Sequence, residues 1–191
     1  MNDPIARFQK VYKRAQKRDP GDYTRVALAT ADPAGRPTVR MVLLRGADER
    51  GFVFYTNYGS RKAIELEANP HAALCFYWEV LKEQIRVEGT VERVSAEESD
   101  AYFASRARGS RVAAIISKQS SPLASRATLV ADYLKLKAQY ARKPIPRPDF
   151  WGGYRIQPVR MEFWNSRAHR MHDRVAYHRS GDGWTMERLY P

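Results

Sequence analysis

Residues 36–62, RPTVRMVLLRGADERGFVFYTNYGSRK, constrain this chain most, because they place two β-rich runs ahead of a helix that opens on cations. Val39, Met41 and Leu43 alternate with Arg40, Val42 and Leu44, and Phe52, Phe54 and Tyr55 follow in a second run. Such alternation of β-branched and aromatic side chains predicts two strands, and the link at residues 46–51 is short enough for a hairpin between them. Ser60 stands where a helix cap belongs, ahead of Ile64, Leu66 and Ala68, with Asn69-Pro70 as the stop. Arg61 and Lys62 occupy that helix's first turn, where the macrodipole favours anions. A bound phosphate would reconcile the two cations with the free N–H groups; the alternative is a pair of solvated surface charges.

The flanking chain continues in the same style. Asp3-Pro4 predicts a helix start and Asp19-Pro20-Gly21 its stop, with Ile5, Phe8, Val11 and Ala15 on the apolar face and Arg7, Lys10, Lys13, Arg14, Lys17 and Arg18 in solvent. Strands are predicted at residues 25–30, 71–78 and 84–94, with a turn at residues 32–35 and Gly89 as a candidate bulge. Hairpin-linked strands with no βαβ rhythm and no GxGxxG motif predict a mainly β chain with flanking helices, an antiparallel barrel or sandwich and not a Rossmann sheet. Ser95-Ala96-Glu97-Glu98 has the capping-box form and opens a helix through Tyr102 and Phe103. Another helix is predicted over residues 125–140, where Leu129, Tyr133, Leu136 and Tyr140 share a face. The proline-rich residues 143–148 read as a stiff connector, and strands near residues 154–157, 160–164, 174–178 and 184–189 complete the chain.

With 191 residues, 43% of them hydrophobic, the chain is expected to form one domain over residues 1–191 with its own core. No apolar run approaches the roughly 20 residues of a membrane helix, and polar residues stand where a signal peptide has its apolar stretch, so the expectation is a cytoplasmic protein without a membrane partner. Cys75, the single cysteine, has apolar neighbours and reads as a small core residue. The formal charge of +12 points to nucleic acid or to phosphorylated small molecules. Its cations are scattered among Ser, Tyr, Gln and Trp and form no stripe, which suits a small-molecule pocket and argues against nucleic acid.

Three groupings carry candidate chemistry. Arg167, His169, Arg170, His172 and Arg174 fall in one segment bordered by Trp164; the His-x-x-His spacing is surrounded by cations that repel a metal, so an anionic aromatic ligand or a solvated basic loop are the alternatives. Tyr102, Arg106 and Ser110 are spaced four apart, so a helix would place the first two on one face and the third at its frayed end, a second candidate phosphate site. Lys118-Gln119-Ser120-Ser121 offers neutral hydrogen-bonding groups for a heterocycle edge, or is simply a polar turn before Pro122. No GxSxG motif, Walker loop or well-placed carboxylate pair supports hydrolysis.

With those residues in view, the chain closely resembles the pyridoxamine 5'-phosphate oxidase family from about residue 25 to residue 191. The blocks RMVLLR, FVFYTN, SRK, QIRVEG, YFASR, KQSS, WGGYR, EFW, RMHDR and ERLYP fall in family order. The resemblance implies an FMN-binding split β-barrel, antiparallel and homodimeric, with residues 150–191 serving dimerisation and the substrate site. It implies that Arg40, Met41, Val42, Leu43, Tyr55 and Thr56 line FMN, that Arg61 and Lys62 hold its phosphate, and that Gln84, Gln119, Ser120, Trp164 and Arg174 complete the site across the dimer. Arg45, Tyr102, Arg106 and Ser110 would grip the substrate phosphate, while Arg170 and His172 would act on the pyridine ring as the catalytic pair. The implied reaction is hydride transfer from C4' of pyridoxine or pyridoxamine 5'-phosphate to the flavin, then reoxidation by O2 to hydrogen peroxide; no metal is implied.

Three departures from the family pattern stand out. Arg45 stands where the family usually has lysine, residues 111–116 lack a common glycine and tryptophan, and the N-terminus is expected to lack the arginine- and tyrosine-bearing arm that often covers the substrate. The rival readings are a related split-barrel flavin oxidase such as those of phenazine pathways, a non-catalytic carrier of FMN or pyridoxal phosphate, and a basic protein that touches RNA.

Overall fold

A computed structural model describes residues 3–191; residues 1 and 2, with which the expected domain begins, lie outside the described residues. Helix α1 (Pro4–Arg18) is followed by β1 (Arg25–Ala31), β2 (Pro37–Leu43), β3 (Gly46–Asp48), β4 (Gly51–Asn57), α2 (Arg61–Ala68), β5 (His71–Trp78) and β6 (Glu83–Arg93). Helices α3 (Ala96–Ser105), α4 (Arg108–Ile116) and α5 (Arg126–Gln139) lead to β7 (Trp151–Asn165), β8 (Asp173–Ser180) and β9 (Gly183–Leu189). The strands make one antiparallel sheet in the order β2-β1-β5-β6-β7-β4-β3, with β8 and then β9 branching from β7. The sheet curls so that β2, at one end, lies near β4, close to the other. This is the split barrel expected, with helices laid against it.

The predicted hairpin between the two β-rich runs does not form. Strand β2 pairs with β1, Arg25 opposite Leu43 and Ala31 opposite Pro37, while β4 pairs with the short β3 and with β7. The intervening turn explains the choice. Gly35 takes φ +78°, a conformation cheap only for glycine, and the Asp32 carboxylate accepts the N–H groups of Ala34 and Arg36, which folds β2 back onto β1.

The two strands predicted at residues 154–157 and 160–164 are one strand, β7. Its first half carries β4 on one edge and its second half carries β8, while β6 runs along the other edge throughout. The join is Pro158, which cannot donate to the ladder, opposite a register shift between Glu88 and Gly89. A Cβ at Gly89 would stand 2.0 Å from the Gln157 carbonyl oxygen, so the expected bulge requires glycine.

The core follows the predicted faces. Ile5, Phe8, Val11 and Ala15 of α1 are buried, and the Phe8 ring meets Phe52 edge-on at 4.8 Å and Phe76 at 5.1 Å. A second cluster, Phe103, Val112, Ala114, Ile145 and Trp151, lies under α3 to α5. Burial of Ile145, with the Arg147 guanidinium donating to Asp100 and to the Trp151 carbonyl, makes residues 143–148 a packed segment and not merely a connector. Leu129, Tyr133, Leu136 and Tyr140 are the partly covered residues of an otherwise exposed α5. Cys75 is half-buried and not a core residue.

Candidate active site

The N-terminal turn of α2 is built around a buried cation. Ser60 precedes the helix with extended backbone, but its side chain makes no capping bond; its hydroxyl instead accepts from Lys62 Nζ at 3.3 Å. Lys62 Nζ also donates to Thr56 Oγ1 at 3.1 Å and to Gln119 Oε1 at 2.9 Å, and the residue is only 8% exposed. Burial, reinforced by the Arg40 charge and opposed by Glu65, brings its pKa down from 10.5 to about 8. Arg61, by contrast, extends into solvent and donates to Glu65 Oε1 at 2.8 Å.

Lys62 opens onto a cleft of about 930 Å³. Arg40, Met41, Val42 and Leu43 of β2 and Arg45 beyond it line one part, and Tyr55, Thr56, Gln119 and Ser120 another. Tyr102, Arg106 and Ser110 line it as well, though not from one helix as predicted: α3 ends at Ser105, Arg106 is extended (ψ 148°), and Ser110 belongs to the first turn of α4. The break turns the guanidinium of Arg106 over the Trp151 ring, 4.7 Å from its centroid. Trp151, Tyr55 and Tyr102 form an aromatic wall, Tyr55 lying 4.0 Å from Tyr102 and 5.5 Å from Trp151 with nearly parallel planes. Gly153 makes room for it, since a Cβ there would meet the Tyr55 ring at 2.8 Å. Arg106 Nη1 is buried with no hydrogen-bond partner among the described residues. Its pKa is lowered by burial, Tyr102 working against the shift and Arg45 with it.

The remaining predicted residues do not line this cleft. Gln84, Trp164 and Arg174 sit directly opposite one another across β6, β7 and β8, so their side chains share one face of the sheet. His172 joins them, its ring 4.6 Å from that of Trp164. His172 Nδ1 accepts the Arg167 backbone N–H at 3.2 Å, which places the proton of the neutral ring on Nε2. His169 (φ 57°) and Arg170 (φ 60°) are consecutive left-handed residues, a backbone cost of about 1 kcal/mol or more each that tends to gather at working sites. Five residues expected to complete one flavin site thus divide: Gln119 and Ser120 belong to the cleft, Gln84, Trp164 and Arg174 to the second cluster.

Comparison with known proteins decides the family. Residues 20–140 match pyridoxamine 5'-phosphate oxidase, and residues 151–191 match the pyridoxine 5'-phosphate oxidase C-terminal dimerisation region. The chain belongs to the pyridoxamine 5'-phosphate oxidase family. It is 53% identical over 189 residues to the pyridoxine/pyridoxamine 5'-phosphate oxidase of Rubrobacter xylanophilus, covering 99% of this chain and 87% of the relative. The corresponding protein of Gluconobacter oxydans is 54% identical, with 99% and 94% covered. Among solved structures, PhzG from Burkholderia lata, in complex with tetrahydrophenazine-1-carboxylic acid, superposes with a TM-score of 0.95 at 31% identity, covering 100% of this chain and 94% of its own. A pyridoxamine 5'-phosphate oxidase-related, FMN binding protein from Nostoc punctiforme shares the fold, with a TM-score of 0.78 at 20% identity and 97% and 96% covered. This member of the oxidase family is therefore an oxidoreductase that works as a homodimer, and no helix among its described residues is long and apolar enough to cross a membrane.

The family's cofactor is FMN, and the oxidase cleft fits it. Buried Lys62 has only neutral oxygens as hydrogen-bond partners and Arg106 has a donor with none, so the cleft holds cations in want of an anion beside a flat aromatic wall. Sequence reasoning missed two participants. Trp151 forms the wall, and nothing in its neighbourhood announces that. Glu65, buried in α2, anchors the cations, and its i,i+4 spacing from Arg61 was the available signal.

Proposed function

We propose that this chain is an FMN-dependent oxidase that converts pyridoxamine 5'-phosphate and pyridoxine 5'-phosphate to pyridoxal 5'-phosphate, with O2 reduced to hydrogen peroxide. The observation that carries the reading is the presence of two separate cation groups, Arg40 with Lys62 and Arg45 with Arg106, on one cleft with an aromatic wall. A phosphorylated cofactor and a phosphorylated substrate each need one. FMN, when bound, supplies the two-electron acceptor and the reaction with O2. The chain's residues bind, orient and exclude water: Lys62, Arg40 and Arg61 take the cofactor phosphate, and Met41, Val42, Leu43, Tyr55, Thr56, Gln119 and Ser120 surround the ring system. Arg45, Arg106, Tyr102 and Ser110 take the substrate phosphate.

In the homodimer, the Gln84, Trp164, Arg174 row completes the partner's cleft and brings Arg170 and His172 to the substrate ring. Residues 150–191 thus serve both dimerisation and the site, within a single domain. His172, with its proton on Nε2, can donate a hydrogen bond to a ring substituent, and Arg170 fixes the ring's orientation. The cationic surplus then serves phosphorylated small molecules and not nucleic acid, in a cytoplasmic setting.

The fold similarity to PhzG favours one rival, oxidation of a tricyclic carboxylic acid. That ligand carries no phosphate, and it would leave the Arg45 and Arg106 group without a dianion. Purified protein should be yellow and form peroxide with pyridoxine or pyridoxamine 5'-phosphate. Turnover of tetrahydrophenazine-1-carboxylic acid with none of either phosphate would overturn the proposal.

A further inference from the structure

Glu65 is 4% exposed, yet its carboxylate is saturated with donors. Oε2 accepts from Thr30 Oγ1 at 2.5 Å, Thr38 Oγ1 at 2.6 Å and Arg40 Nη2 at 3.2 Å, and Oε1 accepts from Arg61 Nε at 2.8 Å. One side chain of α2 therefore ties together β1, β2 and both arginines of the cofactor-phosphate group. Arg40 is further held by Thr30 Oγ1 at 2.6 Å and by the Leu28 carbonyl. Lys62 does not touch Glu65 but feels it across the cluster, together with Arg40. Three cations and one carboxylate leave two net positive charges, the complement of a phosphomonoester dianion.

We propose that Glu65 is the positioning residue of the cofactor-phosphate site, holding Arg40 and Arg61 in place and keeping buried Lys62 charged, so that the site takes a phosphomonoester dianion. This rests on the assignment of that site to FMN. A carboxylate is needed because it only accepts. Glutamine at this position would turn an N–H toward either Arg40 or Arg61, donor against donor. Loss of the negative charge would not simply strengthen attraction to phosphate. The charged groups acting on Lys62 are Arg40 from β2 and Glu65 from α2, while its hydrogen-bond partners Thr56, Ser60 and Gln119 are neutral. Without Glu65 the remaining field is wholly repulsive, and Lys62 is the cation able to shed its proton.

The test compares FMN and riboflavin binding to the apoprotein by flavin fluorescence quenching from pH 6 to 9.5. At pH 8, Glu65→Gln is expected to weaken FMN at least about tenfold, the loss that follows one missing charge-assisted hydrogen bond, with riboflavin unchanged. The alkaline midpoint at which FMN affinity falls should also move to lower pH, a shift that a purely architectural role would not produce. Unchanged FMN affinity, or an equal loss for FMN and riboflavin with the midpoint in place, overturns the proposal. Lys62→Met separates the two layers: if it leaves FMN affinity intact, the phosphate assignment itself has failed; if it abolishes affinity while Glu65→Gln does not, only the role of Glu65 has. Should Glu65→Gln not fold, Glu65→Asp keeps the charge but withdraws the carboxylate, and it should weaken FMN without moving the midpoint. If neither variant folds with FMN present, Glu65 is a folding residue and the proposal falls.

Discussion

Replacing Lys62 by methionine should make the apoprotein more stable and the enzyme worse. The ammonium is buried against three neutral oxygens and faces Arg40, and its pKa falls from 10.5 to about 8. At about 1.4 kcal/mol for each pH unit of displacement, keeping that charge costs the empty fold about 3 kcal/mol at pH 7, an upper bound because the cleft admits water. The sign follows from proton counting. The folded-state pKa lies below the unfolded one, so the unfolded chain holds more protons between pH 8 and 10.5, and stability rises with pH across that window. The cost is complete below pH 8 and gone above pH 10.5. Methionine removes it while leaving few orphans, since Thr56 Oγ1 already donates to Gln119 Oε1 at 2.9 Å. Allowing for the lost hydrogen bonds, a net gain of about 1–2 kcal/mol corresponds to a Tm rise of roughly 3–6 °C in a domain of this size. Thermal melts of apoprotein at one fixed dimer concentration should show that rise at pH 7 and its disappearance near pH 10.5. Saturating FMN should reverse the order, stabilising the parent more than the variant. A variant that melts lower at pH 7 by the same margin as at pH 10.5 would refute the account of Lys62 as a strained cation.

Two further outcomes test the substrate side. Arg45→Ala should weaken pyridoxine 5'-phosphate by about ten- to 150-fold, the worth of one charged hydrogen bond, with FMN occupancy unchanged and most of the loss recovered in Arg45→Lys; depleted flavin would make Arg45 a cofactor residue. Arg170→Leu should slow single-turnover flavin reduction far more than it lowers FMN affinity, because orientation at the reacting carbon is worth powers of ten in rate; unchanged reduction would remove Arg170 from the site.

Local structure was legible in the sequence wherever one short-range rule decided it. Asp3 caps α1 through Ile5 N–H and Ser95 caps α3 through Glu98 N–H, each from residues within a few positions of one another, and the bulge falls at Gly89, which the glycine itself marked. Pairing was legible only in part. Periodicity identifies β2 and β4 as strands but carries no information about which edge meets which, and a turn between residues 31 and 37 outcompeted the link at residues 46–51. The continuity of β7 through Pro158 was hidden for a related reason: proline is a breaker by local rule, and only the register shift in β6 accommodates it.

The candidate site divides along the same line, and the division has a physical cause. Cations are visible in a sequence because they are rare in a helix's first turn, so Arg61 and Lys62 stand out without any structure. What distinguishes the two is burial, which no local pattern reports: Arg61 is in solvent, while Lys62 is enclosed by Thr56 from β4 and Gln119 from beyond α4. No local pattern sets Glu65 apart from a surface residue of an amphipathic helix. It becomes the anchor only because β1 and β2 bring Thr30, Thr38 and Arg40 to it from the far side. Burial alone would raise its pKa, but the hydrogen bonds from Thr30, Thr38, Arg61 and Arg40 outweigh that and hold it at about 2. It therefore stays ionised throughout the pH range in which Lys62 titrates. The same pairing that sequence reasoning could not foresee, β2 on β1 and not on β4, is thus what assembles the anion site: moved to β4, Thr38 and Arg40 would leave Glu65 with only Thr30 and Arg61, and Arg40 without its carboxylate.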